Sequence, residues 1–328
     1  LLFFLDDFLY YWFHRANHEV RLMWAGHVNH HSSIFMNYGT ALRQGVGERV
    51  YKYFFWLPLP LLGFDPVMVV TMMSISLFYQ FWIHTEAIDR FPRWFEAVMN
   101  TPSHHRVHHA TNPRYLDRNY GGVFIVWDRL FGTYQRELPN EPCVYGIRGP
   151  IRSWNPLVAL THVYKDMFDD MRRTTRWSDR LRVLWARTGW QPSDVRGRWP
   201  REKADLTQFE RFDPQVSMPR TVYGGLQLLA ATALLLWGQL EPLSPGGYWI
   251  WWLLLVWTGI VTAGWLQPWR FSTLCLLDLP RLIAVVFALA VVTPSEGWLI
   301  AACAWCAASL AVIAWEFGRR TQANAVEV

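Results

Sequence analysis

The hydrophobic positions of this sequence are concentrated in long uninterrupted runs near its carboxyl end. Three segments of 18 to 20 residues, 223–240, 247–266 and 297–315, carry no charged side chain. A helix of about 20 apolar residues reaches across the hydrocarbon core of a bilayer. The pattern therefore predicts three transmembrane helices in this part of the chain.

A fourth apolar segment, 274–292, is interrupted by Asp278 and Arg281. We expect it to span as well, with the two charges either close to the water interface or paired with each other. The loops before and after it differ in charge: 241–247 and 293–297 contain no Lys or Arg, whereas QPWRFST (267–273) and GRRTQ (318–322) do. By the positive-inside rule, four alternating spans would end in the cytosol.

The basic residues lie mostly between Arg106 and Arg220, a stretch that holds 20 of the 31 Lys and Arg residues and no long apolar run. This distribution predicts a cytosolic region that faces anionic lipid headgroups, in a chain of net charge +5. Nucleic-acid binding is a poor alternative, because the basic residues flank membrane segments and no recognition motif accompanies them.

The amino-terminal half holds two shorter apolar stretches. The chain begins without Met on LLFFLDDFLYYWF (1–13), which as a helix would reach only about 20 Å. We therefore expect that membrane helices preceding it are missing. Residues 51–84 contain Pro58, Pro60, Gly63, Asp65 and Pro66 in their middle. Such a break predicts two short helices that enter the bilayer and return as a hairpin.

Histidine is the residue type with the most uneven distribution. Ten of the eleven histidines lie between positions 14 and 109, where even scattering would place about three. Their spacing forms one HxxxH and two HxxHH patterns, with one more histidine between the patterns: His14, His18; His27, His30, His31; His84; His105, His108, His109. On a helix these offsets bring imidazoles onto one face, and the hairpin would return His84 to the side of His31.

Neutral imidazole binds iron, zinc or copper, and this number of rings exceeds what one ion accepts. The sequence therefore predicts two metal ions. The sequence argues against a metalloprotease, because it has HRANHE and not the HExxH pattern of that class. A histidine-rich membrane metal transporter or sensor is a different-class alternative, although its ionisable groups would be expected along a path in mid-membrane.

Six stretches together resemble the fatty acid hydroxylase/sterol desaturase superfamily, and within it the branch that cleaves alkylglycerol ether lipids. They are DDFLYYWFHRANHE, WAGHVNHHSS, TALRQ, YQFWIHTE, NTPSHHRVHH and DRNYGGVFIVWDRLFGTY. The likeness covers residues 1 to about 150. It implies a non-haem di-iron enzyme in which the histidines of the three patterns are iron ligands and His84 is a ninth ligand. It also implies a catalytic role for Glu19, for which a helix-surface ion pair with Arg15 or Arg21 is the alternative.

Several residues near the boxes are candidates for supporting roles. Asp7 shares a helical face with His14 and His18, so it could orient a ligand imidazole, or be an interfacial acid. The resemblance suggests that Asp117, Asn119 and Asp128 hold the third histidine pattern in place, with turn or capping roles as the alternative. The remaining expectations are that His104 supports the ligands or is spare, that His162 is structural, and that 167–192 is a helix lying on the membrane, over the active site or in solvent.

Together these features predict an all-α integral membrane protein. We expect a histidine-box di-iron helical bundle in residues 1–150, a cytosolic amphipathic region in 151–220 and carboxy-terminal transmembrane helices in 221–328. The resemblance implies O2-dependent hydroxylation of a lipid C–H beside an ether bond, with tetrahydropterin or another external electron donor. Sterol or fatty acyl hydroxylation and desaturation use the same ligands and stay open. The active site would face the cytosol, in a bacterial inner membrane or the endoplasmic reticulum.

Overall fold

The computed structural model describes residues 1–201, 203, 205, 212–292 and 296–326. Within these ranges the regular elements are helices, and β pairing is limited to isolated bridges. The chain divides into two compact units. The first comprises Leu1–Ile151 and Leu160–Arg211, and the second comprises Arg152–Ala159 and Phe212–Val328. The all-α prediction is confirmed, whereas the three-part domain division stays a prediction.

The first unit contains all the predicted histidine patterns. Its helices are α1 Leu2–Glu19, α2 Arg21–His31, α3 Tyr38–Ala41, α4 Glu48–Trp56, α5 Pro58–Leu61, α6 Pro66–Trp82, α7 Arg93–Glu96, α8 Pro102–His109, α9 Val126–Leu130, α11 Trp177–Trp185 and α12 Ser193–Arg196; α10, Pro156–Arg173, begins in the second unit.

Helix α1 packs against α2, α4 and α6, and this packing forms the main apolar core of the first unit. Phe13, Trp56, Leu59 and Val69 are buried there. The indole of Trp56 donates a 2.6 Å hydrogen bond to the buried carboxylate of Asp6. The opposite face of α1 is consequently free to carry His14 and His18 toward the histidines of the other helices.

Helix α2 is held from its other side by α10 and α11. Ala25, Met167 and Val183 form a buried apolar cluster, and Arg21 donates a 2.6 Å charged hydrogen bond to Asp170. Because Arg21 pairs with Asp170, Arg15 is the one of the two predicted arginines that pairs with Glu19. Exposed apolar side chains of α11 suit a helix on a membrane surface, although that placement stays a prediction.

The loop after α3 crosses α2 at a point where only glycine fits. A Cβ added at Gly45 would lie 1.6 Å from the carbonyl oxygen of Gly26, which immediately precedes His27. No side-chain movement relieves a clash with backbone, so a larger residue would push α2 and its histidines aside.

Helices α4, α5 and α6 follow the break that the prolines predict. Asp65 begins α6 by accepting hydrogen bonds from the backbone N–H groups of Val67 and Met68. Two residues after the end of α6 lies His84, whose ring contacts the rings of His30 and His105. Re-entry of this segment into a bilayer stays a prediction.

The second unit is built from four long helices: α13 Met218–Leu240, α14 Pro245–Trp265, α15 Phe271–Val292 and α16 Glu296–Val326. Each is long and apolar enough to cross a membrane, which confirms the four predicted spans. Each helix packs on two others, in the cyclic order α13, α14, α15, α16. The protein is therefore an integral membrane protein.

A buried polar layer joins these four helices. Arg281 and Asp278 pair at 2.6 Å and are both fully buried, so the pairing alternative of the sequence analysis is the one observed. Arg281 also donates to the hydroxyl of Thr258 at 3.2 Å and to the side-chain oxygen of Gln227 at 2.7 Å. Gln227 in turn donates to Ser309 at 3.0 Å. Buried charges of this kind are tolerated in a membrane because every polar group has a partner.

Candidate metal centre

The nine predicted histidines converge in two groups in which the ligand atoms lie within 4.8 Å of one another. One group has five members and the other has four: His14, His18, His27, His31 and His108; and His30, His84, His105 and His109. All nine side chains are buried.

Each HxxHH pattern is divided between the two groups. His27 and His31 are four residues apart on α2 and enter the five-histidine group, whereas His30, about 100° around the helix from His31, enters the four-histidine group. The third pattern is divided in the opposite way. His105 and His109 enter the four-histidine group, and His108 enters the five-histidine group. Each HxxHH pattern therefore contributes two rings to one group and one ring to the other.

Most of the rings are oriented through their Nδ1 atoms. The Nδ1 atoms of four rings lie 2.7 to 3.2 Å from backbone carbonyl oxygens: His14 with Tyr120, His30 with Arg43, His84 with Gln80 and His108 with Arg118. A fifth ring, His27, uses Nδ1 toward the carboxylate of Glu48 at 3.3 Å. A carbonyl oxygen can only accept, so these Nδ1 atoms carry the proton and the Nε2 atoms present lone pairs.

These tautomers leave bare nitrogens facing each other. The Nε2 atoms of His30 and His84 lie 3.2 Å apart, although both rings carry their proton on Nδ1. The Nε2 atoms of His14, His18 and His108 have no hydrogen-bond partner in the part of the chain that the structure describes. Converging lone pairs without a proton repel each other unless a cation lies between them. The residues therefore fit a metal cofactor.

The rings are neutral as well as convergent. Burial, reinforced by neighbouring histidines, holds the pKa of His31 and His109 well below its usual range. Burial lowers the pKa of His108 to about 3. Neutral imidazole is the form that binds metal, so the buried environment prepares the ligands before any ion arrives.

The loop at residues 120–124 is clamped by two carboxylates. Asp128 accepts 2.7 Å hydrogen bonds from the backbone N–H groups of Tyr120 and Gly121. Asp7 accepts from the backbone of Val123 at 2.7 Å and Phe124 at 3.0 Å. Asp7 is fully buried and accepts from these backbone groups and from the indole of Trp127, so among the described residues it neither bonds a ligand imidazole nor is an interfacial acid. It acts on the loop whose Tyr120 carbonyl holds His14.

Asn119 supports the third pattern directly. Its side chain donates to the carbonyl oxygen of His104 at 3.0 Å and to that of Gln135 at 2.8 Å. Asn119 has φ 56°, a left-handed conformation that Asn adopts more readily than most residues. Asp117 also has positive φ, at 58°, and its carboxylate lies 3.9 Å from Nδ1 of His18.

Three predicted residues lie outside both groups. The ring of His104 packs edge-on against Tyr134, with centroids 5.6 Å apart, so it belongs to the support of α8. His162 lies in α10. Glu19 pairs with Arg15 at 3.0 Å and with Arg187 at 3.7 Å, and its side chain is 28% exposed.

Sequence analysis missed the groups that hold Nδ1. Glu48 was not singled out, because an acidic residue in the first turn of a short amphipathic helix is common and carries no functional signal. The carbonyl oxygens of Arg43, Gln80, Arg118 and Tyr120 carry no sequence signal, since every residue has one.

Residues 1–133, the segment that carries all nine clustered histidines, match the fatty acid hydroxylase family. The match is confined to this segment of the chain. Both histidine groups lie within this matched segment, and their convergent ligand atoms fit a metal cofactor. No solved structure matches the chain.

The similarity to curated proteins extends beyond residues 1–133. The alkylglycerol monooxygenase of Xenopus tropicalis is 39% identical over 230 residues, which cover 70% of this chain and 50% of the relative. The human alkylglycerol monooxygenase is 43% identical over 190 residues, 58% of this chain and 42% of the relative. The chain therefore spans about half the length of these curated relatives.

A more distant relative carries a different activity in its name. The very-long-chain aldehyde decarbonylase GL1-5 of Oryza sativa subsp. indica is 30% identical over 150 residues, 41% of this chain and 24% of the relative. Proteins named for different reactions are therefore similar to this chain, and similarity alone does not select one reaction.

Proposed function

We propose that the fatty acid hydroxylase domain holds two iron ions, one in each histidine group, and is an O2-dependent lipid monooxygenase. The observation that carries this proposal is the facing pair of bare Nε2 atoms on His30 and His84, repeated as convergent lone pairs in both groups. Bound iron would supply the activation of O2 needed to attack an unactivated C–H bond.

The protein's own residues orient the ligand imidazoles and exclude bulk water from the centre. Backbone carbonyls hold the Nδ1 protons, so that Nε2 of His14 and His108 points into the five-histidine group. Asp128 in turn holds the N–H of Tyr120, which restrains the carbonyl used by His14. Rigid orientation of ligand rings raises metal affinity, and burial of the rings keeps bulk water away from the reacting atoms.

The substrate we propose is a lipid in which the oxidised carbon is bonded to an ether oxygen, as in an alkylglycerol. Support comes from the names of the relatives that are 39% and 43% identical. One atom of O2 would enter the C–H bond, and the other would leave as water after two electrons and two protons are supplied. The resulting hemiacetal separates into an aldehyde and a glycerol product.

The electron donor must come from outside the chain. The sequence contains no haem, flavin or nicotinamide motif. We therefore propose tetrahydropterin or another external donor, in agreement with the resemblance stated above.

Glu19 is the residue that we propose to act in catalysis without binding metal. It follows His18 on α1, about 100° away around the helix axis, and is bound to Arg15 at the surface of the unit. A partly exposed carboxylate at that place can orient the donor or relay a proton. The exposed fraction of the Glu19 side chain, 28%, leaves it reachable from solvent.

The centre is proposed to face the cytosol, in a bacterial inner membrane or the endoplasmic reticulum. Basic residues in 106–220 and in the loop 267–273 support this orientation. The opposite orientation would place the region that holds 20 of the 31 Lys and Arg residues on the non-cytosolic side, against the positive-inside rule.

The decisive experiment combines metal analysis with isotope labelling. Membranes containing the chain are incubated under ¹⁸O2 with a reduced pterin and, separately, an alkylglycerol, a sterol and a fatty acyl lipid. Aldehyde formed only from the alkylglycerol, with ¹⁸O incorporation and two irons per chain, is the expected result. Oxidation of only the sterol or acyl lipid would reject the ether substrate, and metal transport into vesicles without lipid oxidation would reject the enzyme.

A further inference from the structure

The second unit has a pocket lined by basic side chains at one end of its four helices. Its volume is about 390 Å³, which is in the range of pockets that hold small ligands. The first turn of α13, the loop between α14 and α15, and the carboxy-terminal part of α16 meet there. They bring four arginines to the pocket: Arg220, Arg270, Arg319 and Arg320.

A single carboxylate serves three of these arginines. Glu316 is fully buried, and its oxygens lie 3.4 Å from Nε of Arg220, 3.0 Å from Nε of Arg319 and 2.7 Å from Nε of Arg320. Among the described residues that line the pocket, Glu316 is the only acidic one. Four positive charges therefore face one negative charge, and the pocket carries a surplus of positive charge.

Arg220 holds the frame of the pocket and is not free to bind a ligand. Its side chain is buried, and its two terminal nitrogens donate to the backbone carbonyl oxygens of Gln267 at 2.8 Å and Trp269 at 2.9 Å. These bonds fix the loop that carries Arg270. The pocket is therefore built on a buried, hydrogen-bonded arginine and does not consist of surface cations alone.

Arg270 and Arg320 retain N–H groups that a ligand can use. The side chain of Arg270 is exposed and has no hydrogen bond or ion pair with any residue that the structure describes. Arg320 donates to Glu316 through Nε, and its two terminal nitrogens have no acceptor within the same part of the chain. The guanidinium of Arg320 lies 5.2 Å from the ring centroid of Phe271, which restrains its position. Pairs of guanidinium N–H groups match the oxygens of a phosphate.

The charge and the place of the pocket together indicate its ligand. The ends of membrane-spanning helices lie at the level of the lipid headgroups, and basic pockets between such helices bind anionic headgroups. A carboxylate would bring one negative charge and two oxygens. A phosphomonoester brings about two negative charges and three oxygens, which suits two arginine forks and the surplus of positive charge.

We propose that this pocket binds the phosphate group of an anionic phospholipid of the phosphatidic acid type. Arg270 and Arg320 donate to the phosphate oxygens, Arg319 adds positive charge, and Arg220 with Glu316 holds the frame. Inorganic phosphate offers the same chemistry, but the position at the helix ends favours the lipid. Every lining residue belongs to the second unit, so the proposal does not depend on the reaction proposed for the histidine groups.

The test uses the whole chain, purified in detergent with its metal, and native mass spectrometry of the lipid that it retains. The probes are phosphatidic acid and diacylglycerol with the same acyl chains, which differ only in the phosphate. We expect about tenfold greater retention of phosphatidic acid, and a decrease in that preference as salt is raised. Equal retention of the two lipids would overturn the proposal.

Substitutions identify the donors. Arg270→Gln combined with Arg320→Gln should lower retention of phosphatidic acid about fivefold or more, with retention of diacylglycerol unchanged. Arg152→Gln is the matched control, because Arg152 is an exposed arginine of the same unit that does not line the pocket. Unchanged retention of phosphatidic acid in the double variant, or an equal fall in Arg152→Gln, would reject the site.

The single variant Arg270→Gln guards against a folding artefact. It breaks no side-chain contact with the described residues, so helix content and bound metal should stay at the wild-type level while retention of phosphatidic acid falls severalfold. Full retention in this variant would show that Arg270 does not hold the phosphate and would contradict the proposed geometry.

Inorganic phosphate distinguishes the two sources of the ligand. It should displace phosphatidic acid only in large molar excess, because the lipid also gains from its acyl chains in the surrounding detergent or bilayer. Displacement at equal concentration would support a phosphate site but reject the lipid as its occupant. Failure of inorganic phosphate to displace the lipid at any concentration would contradict phosphate as the group that is recognised.

Discussion

The imidazole rings of His31 and His109 stack, with centroids 4.4 Å apart and 19° between the ring planes. His31 belongs to the five-histidine group and His109 to the four-histidine group. The stack is therefore a common wall of the two histidine groups. Displacement of one of these rings should disturb both sites, whereas loss of a ligand far from the wall should disturb one.

This wall predicts unequal metal loss in two histidine variants. His14→Ala removes a ligand from the five-histidine group only, so we expect about half of the wild-type metal to remain. His31→Ala opens the common wall and should lower the metal content further, with activity lost in both variants. Iron per chain is measured after gel filtration, and His162→Ala should match wild type. Equal metal in the two variants would contradict a shared wall, and full metal in both would reject the sites.

The clamp on the 120–124 loop predicts a weaker metal site without loss of a ligand. Asp128→Asn replaces one of the two oxygens that accept from Tyr120 and Gly121 with an NH2 group, which faces a backbone N–H, and removes the negative charge. The Tyr120 carbonyl should then lose its position, and metal affinity should fall about 10- to 100-fold. Affinity is measured by competition with a chelator. Asp89→Asn, at a side chain that is 94% exposed, is the control and should have no effect.

Glu19→Gln should damage turnover more than metal binding. The amide can still accept from Arg15, but it cannot carry a proton or a charge for the donor. We expect near-complete iron and a loss of turnover of about 100-fold or more. Arg15→Gln separates the alternatives. If the ion pair alone matters, both variants should lose turnover equally, and parallel loss of iron and product in Glu19→Gln would mark Glu19 as a ligand.

The meeting of His30, His84 and His105 in one group predicts that the segments flanking 51–84 lie on one membrane face. Single cysteines at Gln44 and Arg114, both exposed, should be labelled from the same side by a membrane-impermeant maleimide. Ser103 is unsuitable because it is buried and donates to Glu96. The native cysteines are first replaced. Labelling from opposite sides would contradict the hairpin.

The buried pair in the transmembrane unit predicts non-additive effects on stability. Arg281→Met leaves the Asp278 carboxylate unpaired, so the free energy of unfolding in detergent should fall by about 3 to 5 kcal/mol. Combining it with Asp278→Leu removes the uncompensated charge and should recover part of that loss. The exposed pair of Lys165 and Asp169 is the comparison: Lys165→Met should cost no more than about 0.5 kcal/mol. Additive losses at Asp278 and Arg281 would contradict coupling.

Periodicity and composition were sufficient for the features that depend on neighbours along the chain. Apolar length alone determines that four carboxy-terminal segments form helices able to span a bilayer, since the cost of unpaired backbone groups in hydrocarbon leaves few other conformations. The four-residue spacing of His14 with His18, and of His27 with His31, likewise determines which rings share a helix face. These properties follow from local geometry and required no knowledge of the fold.

Tertiary structure decided how the local features combine. Only the packing of α1, α2, α6 and α8 divides the two HxxHH patterns between two groups and brings His84 to His30. The Nδ1 acceptors are mostly backbone carbonyls, which are identical in every residue and become specific only by position. Asp7 and Asp278 show the same limit: both carboxylates were visible in the sequence, but their partners, loop N–H groups and Arg281, depend on which polar groups burial brings within hydrogen-bonding distance.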